Sequence, residues 1–263
     1  MGSEALCVRL STGEEIMAKD AVIGAIHPHV LGKFIEGLDP DVEARGKAVT
    51  LSTQSLFVSH YDLKERTTYR AGTKATAAVM LEYFPYTDLD SMLDDFDQLR
   101  RRRIPRRRLL GGGDETHGDP TRAPEGAGIF PSITMVPYDI AGKGPQHWDE
   151  IKEDYAAETL RQYDPFISNL TADNIIASSH WSPLDMEWSS PNSFVGGDMH
   201  GCAPFLYQTM CHRPASDLGQ YTVPGIEGMN LMGPFQHPGC GAFGTGGPPC
   251  CACSTTWVSL SKG

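Results

Sequence analysis

The sequence predicts an α+β fold with a mixed or antiparallel sheet. Segments with strand patterns and segments with helical spacing alternate irregularly, without the repeating order of βαβ units. No Gly-x-Gly-x-x-Gly motif lies between a strand and a helix near the N-terminus, and no P-loop motif is present. If a dinucleotide binds, the chain therefore does not hold its pyrophosphate in the usual way.

The N-terminal region predicts a hairpin followed by a buried strand. Apolar and polar residues alternate over residues 6–10, and Thr12-Gly13 supplies the turn. Residues 21–25 are apolar on both faces, which predicts a strand buried in a sheet. His27-Pro28 ends that strand, and a short helix is expected over residues 30–35.

The next region predicts two strands and an acidic helix. Residues 51–61 and 75–84 are rich in valine, leucine, phenylalanine and tyrosine, so both are expected to be strands of a larger sheet. Apolar residues recur at helical spacing over residues 87–99. Thr87 or Asp88 is expected to cap the start of this helix.

The rest of the chain predicts three more strands and a second helix. Strands are expected at residues 129–136, 174–180 and 229–232. A helix is predicted from Trp148 to Tyr163, with acidic residues in its first turn that complement the helix dipole. Ser182-Pro183 is expected to form a turn.

The last predicted strand leads into a glycine-rich loop. Glycines cluster where a chain turns tightly or where a ligand approaches the backbone closely. A flat, extended cofactor would fit such a loop, and a flexible Gly/Pro-rich tail is the alternative. The ordered strand before the loop favours the site. Its glycines are Gly233, Gly239, Gly241, Gly244, Gly246 and Gly247.

Composition excludes several classes of protein. A chain of 263 residues with a net charge of −11 is large enough for a real core and too acidic for general nucleic-acid binding. No apolar run reaches the roughly 18 residues of a membrane span, and the N-terminus lacks the pattern of a signal peptide. Seven cysteines, an odd number, do not form a spaced disulfide framework. A reduced, cytoplasmic protein is expected.

Several short segments, in a shared order over nearly the whole chain, resemble the C-terminal half of the phytoene-desaturase-related FAD oxidoreductases. The hairpin segment Val-Arg-Leu-Ser-Thr-Gly-Glu-Glu-Ile-Met-Ala-Lys-Asp-Ala-Val-Ile resembles a family element, and the likeness is densest near the C-terminus. The segments are residues 8–23, 119–126, 137–138, 148–151, 182–187, 196–201, 213–214, 224–225 and 237–241.

The resemblance implies the second half of a flavoenzyme. Residues 1–50 would belong to the FAD-domain side, residues 51–190 would form the substrate domain, and residues 191–263 would return to cap the flavin. A companion chain would supply the missing Rossmann half, in a hetero-oligomer. A fragment or a degenerate remnant is the competing explanation. The implied reaction removes a hydride from a carbon of a small, apolar substrate to flavin N5, with a redox-neutral isomerase as a variant.

The same resemblance implies the site residues. The flavin would lie against the loop formed by Gly233, His237, Pro238, Gly239, Cys240, Gly241 and Gly244. His200 and His237 are the candidate catalytic residues, because a histidine near neutral pKa can take the proton that accompanies hydride loss. A buried structural histidine and a loop brace are the respective alternatives. Tyr207, Gln208 and Tyr221 are candidates for substrate contact, with core packing as the alternative.

Three further features have plainer explanations. His237 and the cysteines Cys240, Cys250, Cys251 and Cys253 could supply soft metal ligands, but paired C-x-x-C arms are missing, so no metal is expected. A non-catalytic scaffold, with or without metal at these cysteines, is the rival function. The basic run 100–108 is expected to neutralise the acidic helix before it. Arg213 is expected to make a structural pair.

Overall fold

The structure is a computed structural model that describes residues 3–5, 7–75 and 78–239. The chain divides into two units, here called unit 1 (Met1–Ser52 with Ser189–Gly263) and unit 2 (Thr53–Trp188). Helices occur together with antiparallel and parallel strand pairs, which confirms the α+β class. The assignment of residues 1–50, 51–190 and 191–263 to flavin or substrate stays a prediction.

The strands and helices of the described residues are labelled in chain order. The strands are β1 Ser3–Glu4, β2 Cys7–Arg9, β3 Glu15–Met17, β4 Val22–Gly24, β5 Gln54–Leu63, β6 Leu81–Tyr83, β7 Leu110–Gly112, β8 Gly128–Pro137, β9 Ile175–Trp181, β10 Ile226–Glu227 and β11 Met229–Leu231. The helices are α1 Leu31–Phe34, α2 Pro40–Lys47, α3 Leu89–Arg100, α4 His147–Arg161 and α5 Pro183–Ser189.

Unit 1 contains three short strand pairs around an apolar core. β2 and β3 form the predicted antiparallel hairpin, while β4 pairs in parallel with β11 and β1 pairs in parallel with β10. Leu6 lies outside the described residues. The short helix expected over residues 30–35 is present as a 3₁₀ turn followed by α1. The buried core side chains are Leu31, Val42, Leu218, Val223, Ile226, Met229, Leu231 and Phe235.

The predicted burial of residues 21–25 is wrong for most of the segment: only Gly24 is buried, Ala21 and Val22 are partly buried, and Ile23 and Ala25 are exposed. β4 forms where a strand was expected, but the side chain of Ile23 is 46% exposed. Among the described residues, β4 has a strand partner on one edge only, which is β11. An apolar run signals burial only where other elements cover both faces of the strand, so the pattern overestimated the cover on β4.

Unit 2 is built on an antiparallel five-stranded sheet in the order β6-β7-β8-β5-β9. The predicted strands β5, β8 and β9 and the predicted helix α4 are all confirmed within two residues at most ends. Two tyrosine hydroxyls form hydrogen bonds to strand β8, each at 2.9 Å. Tyr155 of α4 bonds to Thr134, and Tyr163, in the turn after α4, bonds to Ser132. The sheet face is therefore held by polar contacts as well as by apolar packing.

Helix α3 confirms the predicted acidic helix and its cap. The Asp88 carboxylate accepts the backbone N–H of Ser91 at 2.7 Å, which satisfies one of the first unpaired donors of the helix. The basic run pairs with its neighbours as expected: Arg101 lies 2.7 Å from Asp97, and Arg107 lies 3.3 Å from the buried Asp95. Leu89 is exposed, so the apolar stripe is buried only at its C-terminal end.

Two predictions in unit 2 are wrong. Of the strand expected over residues 75–84, the described residues form a strand only at β6, and the preceding Val79 and Met80 are exposed; residues 76 and 77 lie outside the described residues. Ser182-Pro183 starts helix α5 instead of a turn. Ser182 and Asp185 exchange hydrogen bonds, from Ser182 N to Asp185 Oδ2 at 2.8 Å and from Asp185 N to Ser182 Oγ at 3.3 Å. This is a capping box with proline in the first turn.

In the part of the chain that the structure describes, no helix has both the length and the apolar character needed to cross a bilayer.

Candidate functional site

The candidate site in unit 1 forms where the segment before Gly201 meets the loop that follows β11. Gly196, Gly197 and Gly201 have positive φ angles of 62°, 64° and 75°, so the chain folds back around the buried Asp198. At Gly201 a Cβ atom would lie 2.4 Å from the backbone nitrogen of Phe235. Only glycine permits this approach of the two segments.

Asp198 is a buried carboxylate that organises the first segment. It accepts the backbone N–H of Ser52 at 2.7 Å and that of His200 at 2.8 Å. Burial raises the pKa of Asp198, while these hydrogen bonds and the nearby charge of Arg213 act in the opposite direction. The carboxylate thus fixes the backbone on which His200 is carried.

Arg213 joins the two segments. Its Nη2 atom donates to the carbonyl oxygen of Pro234 at 2.8 Å and, in a second short bond, to the carbonyl oxygen of His200. Its Nε atom also donates to Pro234, at 3.2 Å. The guanidinium is buried and is used structurally, as predicted. Asp198, His200, Arg213, Pro234 and Gly239 are called the Arg213 cluster below.

Gly239 completes the Arg213 cluster. It is buried, has a φ of 114°, and a Cβ atom built there would lie 3.4 Å from Nε of Arg213. A side chain at this position would therefore touch the buried guanidinium, whereas glycine leaves the space beside it free. Gly233, at the start of the loop, has a φ of 144°, and its missing Cβ leaves room for the ring of Phe235.

His200 lies in the cluster, but its ring is only partly engaged. Its Nδ1 atom is buried, has no hydrogen-bond partner among the described residues, and lies 4.0 Å from Oδ1 of Asp198. A buried nitrogen without a hydrogen-bond partner is rare and costly. The side chain keeps some exposure to solvent.

Tyr221 contacts the backbone of His237. The Tyr221 hydroxyl donates to the carbonyl oxygen of His237 at 3.3 Å. The His237 residue is partly exposed and Pro238 is exposed. Between the cluster and His237, the amide of the buried Gln236 donates to Leu218 at 3.1 Å, and its Oε1 atom has no partner among the described residues. The roles of His237, Pro238 and Tyr221 stay predictions.

Gln208 and Tyr207 contact the segment around Thr50. The buried Gln208 amide accepts the N–H of Thr50 at 2.9 Å and donates to the carbonyls of Thr50 and Ala203. The Tyr207 hydroxyl lies 3.1 Å from Oγ1 of Thr50, and its ring is largely exposed beside Phe205. A substrate role for either residue stays a prediction.

The other predicted loop residues, Cys240, Gly241 and Gly244, lie outside the described residues, as do Cys250, Cys251 and Cys253. In residues 3–5, 7–75 and 78–239 no group of three potential metal-binding side chains is present.

Sequence reasoning missed His27 as part of this region. Its Nε2 atom lies 2.6 Å from the carbonyl oxygen of Gly201, and its Nδ1 atom accepts the N–H of His29 at 3.1 Å. Burial lowers the pKa of His27 to about 4, so the ring is neutral with Nε2 as the donor. The His27-Pro28 pair was visible in the sequence only as a strand end.

Comparison with known proteins finds partial sequence similarity to an oxidoreductase domain protein. No family model matches it. It is 29% identical over 134 residues to a rat (Rattus norvegicus) protein, pyridine nucleotide-disulfide oxidoreductase domain-containing protein 2; the match covers 49% of this chain and 22% of the relative. The chain thus spans less than a quarter of that relative's length, and the match does not single out the phytoene desaturases.

Two solved structures are also similar. One is a reduced UDP-galactopyranose mutase, at a TM-score of 0.40 and 15% identity, covering 75% of this chain and 39% of that one. The other is an oxidoreductase from Methanosarcina mazei, at a TM-score of 0.44 and 14% identity, covering 95% of this chain and 44% of that one.

Proposed function

We propose that this chain forms the substrate domain and flavin cap of an FAD-dependent oxidoreductase whose nucleotide-binding half is carried by a companion chain. The observation that carries the proposal is the Arg213 cluster, in which a buried guanidinium fixes the glycine loop against the segment of His200. The similarity to an oxidoreductase domain protein supports the same class.

Two properties of the Arg213 cluster support contact with a flavin: the fixed backbone of the glycine loop and the buried positive charge of Arg213. Arg213 holds the carbonyl oxygen of Pro234, so the loop is fixed before a cofactor arrives and little ordering would be needed on binding. A buried positive charge beside the backbone of Gly239 would stabilise negative charge that develops on a neighbouring aromatic cofactor. The buried, unpartnered Nδ1 atom of His200 is a further polar group that a ligand could satisfy.

The proposal assigns the following roles to the residues. FAD, when bound, supplies a hydride acceptor, and the substrate becomes a C=C or C=O product. The cofactor would contact the glycine loop at Gly233, His237, Pro238, Gly239, Cys240, Gly241 and Gly244. His200 would hold or release a proton at Nδ1, with His237 as the second candidate. Tyr207, Gln208 and Tyr221 would contact a small apolar substrate.

The proposal is tested by the absorption spectrum of the complex purified from its native host through a tag on this chain. Flavin bands together with a co-purifying chain that contains Gly-x-Gly-x-x-Gly would support it. A colourless protein without such a partner would overturn it, and metal analysis of the cysteine-rich end would follow.

A second measurement addresses His200 without knowledge of the substrate. In a yellow complex, His200→Gln should change the pH dependence of the reduction potential of the flavin, because a histidine that takes up a proton on reduction contributes to that dependence. His212→Gln, at an exposed position, is the matched control. Equal pH profiles for both variants would remove His200 from the proton path.

The rival function is a non-catalytic interaction protein. It is favoured by one observation, the exposed apolar side chains of Phe205, Leu206, Tyr207 and Met210 in unit 1. Such a protein would be colourless both alone and with its partners, so the same spectrum separates the two candidates.

A further inference from the structure

The basic run after helix α3 carries more positive charge than its neighbours neutralise. Residues 100–108 contain seven arginines and no acidic residue. Four of these arginines make ion pairs or side-chain hydrogen bonds, namely Arg101, Arg102, Arg107 and Arg108. The other three, Arg100, Arg103 and Arg106, are exposed and make neither kind of contact within residues 3–5, 7–75 and 78–239. Three free guanidinium groups therefore belong to a segment of seven residues.

The free arginines are attached to an ordered turn. The N–H of Arg103 donates to the carbonyl oxygen of Gln98 at 2.9 Å, so the chain folds back against the end of α3. Arg102 has a φ of 58°, which is uncommon for a residue other than glycine, and its carbonyl oxygen accepts the N–H of Ala141 at 2.8 Å. Such a backbone conformation persists only where surrounding contacts hold it. This end of the run is therefore fixed.

The other end of the run is held by Gln162, which follows α4. Its side-chain amide donates to the carbonyl oxygen of Arg106 and accepts the N–H of Arg108, each at 3.2 Å. The Arg108 guanidinium is buried and lies 4.0 Å over the ring of Tyr155, and its Nε atom has no partner among the described residues. A buried cation thus adds to the positive charge of the three exposed ones.

A shortage of acidic residues does not explain the free arginines. The chain has 33 acidic residues, and Asp94 of α3 is exposed and makes no ion pair in the part of the chain that the structure describes. The C-terminal end of a helix attracts cations, but this effect is confined to the last turn, so it accounts for Arg100 and not for Arg106. Like charges held near one another on a fixed backbone repel and cost free energy. A bound anion would remove that cost.

The composition of the run favours a phosphate ligand. All of its cations are arginines, whose planar guanidinium groups bind phosphate through two parallel hydrogen bonds. Adjacent free arginines are three residues apart, at most about 11 Å along an extended chain. Two of these long side chains can therefore contact phosphates that are joined in one diphosphate group.

The surrounding charge favours a small ligand over a membrane or a nucleic acid. The chain has a net charge of −11, and Asp90 and Asp94 on α3 are both exposed. A large anionic surface would approach these carboxylates as well as the arginines and would be repelled by them. A small ligand would contact the turn alone, and salt screens charges further away than about 8 Å.

We propose that Arg100, Arg103 and Arg106 form a site on unit 2 for a small ligand that contains a diphosphate group. Inorganic pyrophosphate and a nucleoside diphosphate share this chemistry. The site does not rest on the proposed function, which concerns the Arg213 cluster in unit 1.

The ligand class is tested by isothermal titration of the full chain with pyrophosphate, ADP and sulfate at matched ionic strength. We expect pyrophosphate and ADP to bind at one per chain, and sulfate to bind at least about tenfold more weakly, because it cannot engage two arginines through two joined groups. Equal affinities for pyrophosphate and ADP would assign recognition to the diphosphate group alone. Tighter binding of ADP would identify a nucleoside diphosphate as the ligand.

Two triple variants locate the binding. Combined Arg100→Gln, Arg103→Gln and Arg106→Gln removes the free charges and should weaken pyrophosphate binding at least about tenfold. The matched control removes the same charge at three exposed ion pairs elsewhere, by Arg9→Gln, Arg45→Gln and Arg122→Gln, and should bind nearly as the wild type does. Circular dichroism checks that both variants are folded.

A third variant separates arginine recognition from plain charge. Combined Arg100→Lys, Arg103→Lys and Arg106→Lys keeps the charge and loses the planar donor pairs, so pyrophosphate should bind at least about threefold more weakly than to the wild type. Unchanged affinity would overturn the arginine-specific site.

Several other outcomes would overturn the proposal. They are absence of pyrophosphate binding to the wild type, equal affinities for pyrophosphate and sulfate, and equal weakening by the glutamine variant and its control. Binding of anionic phospholipid vesicles or of single-stranded DNA that the glutamine variant abolishes, without binding of pyrophosphate, would assign the arginines to a macromolecule. None of these measurements involves flavin, so a colourless complex would overturn the proposed function and leave the diphosphate site standing.

Discussion

The Nε2 atom of His27 lies 2.6 Å from the carbonyl oxygen of Gly201, although the two residues are 174 positions apart in the sequence. The other ring nitrogen accepts the N–H of His29, so both nitrogens are satisfied only in the neutral ring. Protonation would force one donor against another inside the core of unit 1.

The stability of unit 1 should therefore depend on pH through His27. Its pKa falls from 6.5 to about 4 on folding, so between these values the unfolded state binds more protons. The contribution is complete above pH 6.5 and is lost as the pH falls towards 4, by about 3 kcal/mol in total. Urea unfolding at several pH values should show this slope. His27→Gln should flatten it, and the exposed control His212→Gln should leave it unchanged.

Gly201 and Gly225 offer a matched pair of glycine substitutions. Both have a left-handed φ, 75° at Gly201 and 80° at Gly225. A Cβ atom at Gly201 would meet the backbone of Phe235 and Pro234, whereas a Cβ atom at Gly225 would have no neighbouring atom within 4 Å. Gly225→Ala should cost about 1 kcal/mol of strain. Gly201→Ala should cost at least about 3 kcal/mol, because two backbone segments must separate. Equal losses in urea unfolding would contradict the close packing at Gly201.

Arg213→Lys should loosen the glycine loop. A lysine keeps the charge but cannot reach the carbonyl oxygens of both His200 and Pro234 in the same plane, so the free energy of unfolding should fall by about 3 kcal/mol. Hydrogen exchange over residues 233–239 should accelerate. Arg45→Lys, at a partly exposed ion pair with Asp217, is the control and should cost less than about 1 kcal/mol. Unchanged exchange in Arg213→Lys would show that other contacts hold the loop.

Asp114 should stabilise unit 2 far more than the similarly placed Asp119. Each carboxylate accepts an N–H two residues further on, but Asp114 is buried and also accepts the N–H of Thr67 at 2.9 Å. Asp114→Asn would turn an amide N–H towards a donor and should cost about 2 to 4 kcal/mol. Asp119→Asn, at the surface, should change the thermal midpoint little. Similar midpoints for the two variants would contradict the buried role of Asp114.

The sequence predicted those parts of the fold that depend on neighbouring residues. The spacing of apolar residues and the carboxylate of Asp88 predicted helix α3, and alternation predicted the hairpin β2–β3. The Ser182-Pro183 prediction failed because the same residues suit a turn and a helix start, and only Asp185 decides between them. Local patterns resolve such cases poorly.

Contacts between distant residues were beyond such reasoning. Glycines and histidines identified the region of the candidate site, but the bond from Ser52 to Asp198 spans 146 positions and that from His27 to Gly201 spans 174. Neither leaves a periodic signal in the sequence. The exposure of Ile23 was missed for a related reason, since burial of a strand depends on which neighbours the rest of the fold provides.

The pairing of β4 with β11 also has a consequence for synthesis of the chain. Val22 must find Met229, and the whole of unit 2 is translated between them. At about 5 to 20 residues per second, the ribosome needs roughly 10 to 40 s to make the intervening segment. During that interval β4 is an apolar strand whose partner β11 has not yet been made, while the whole of unit 2 leaves the ribosome. The risk of aggregation is therefore greatest until β11 has been made, and a chaperone acting on the early chain should protect it.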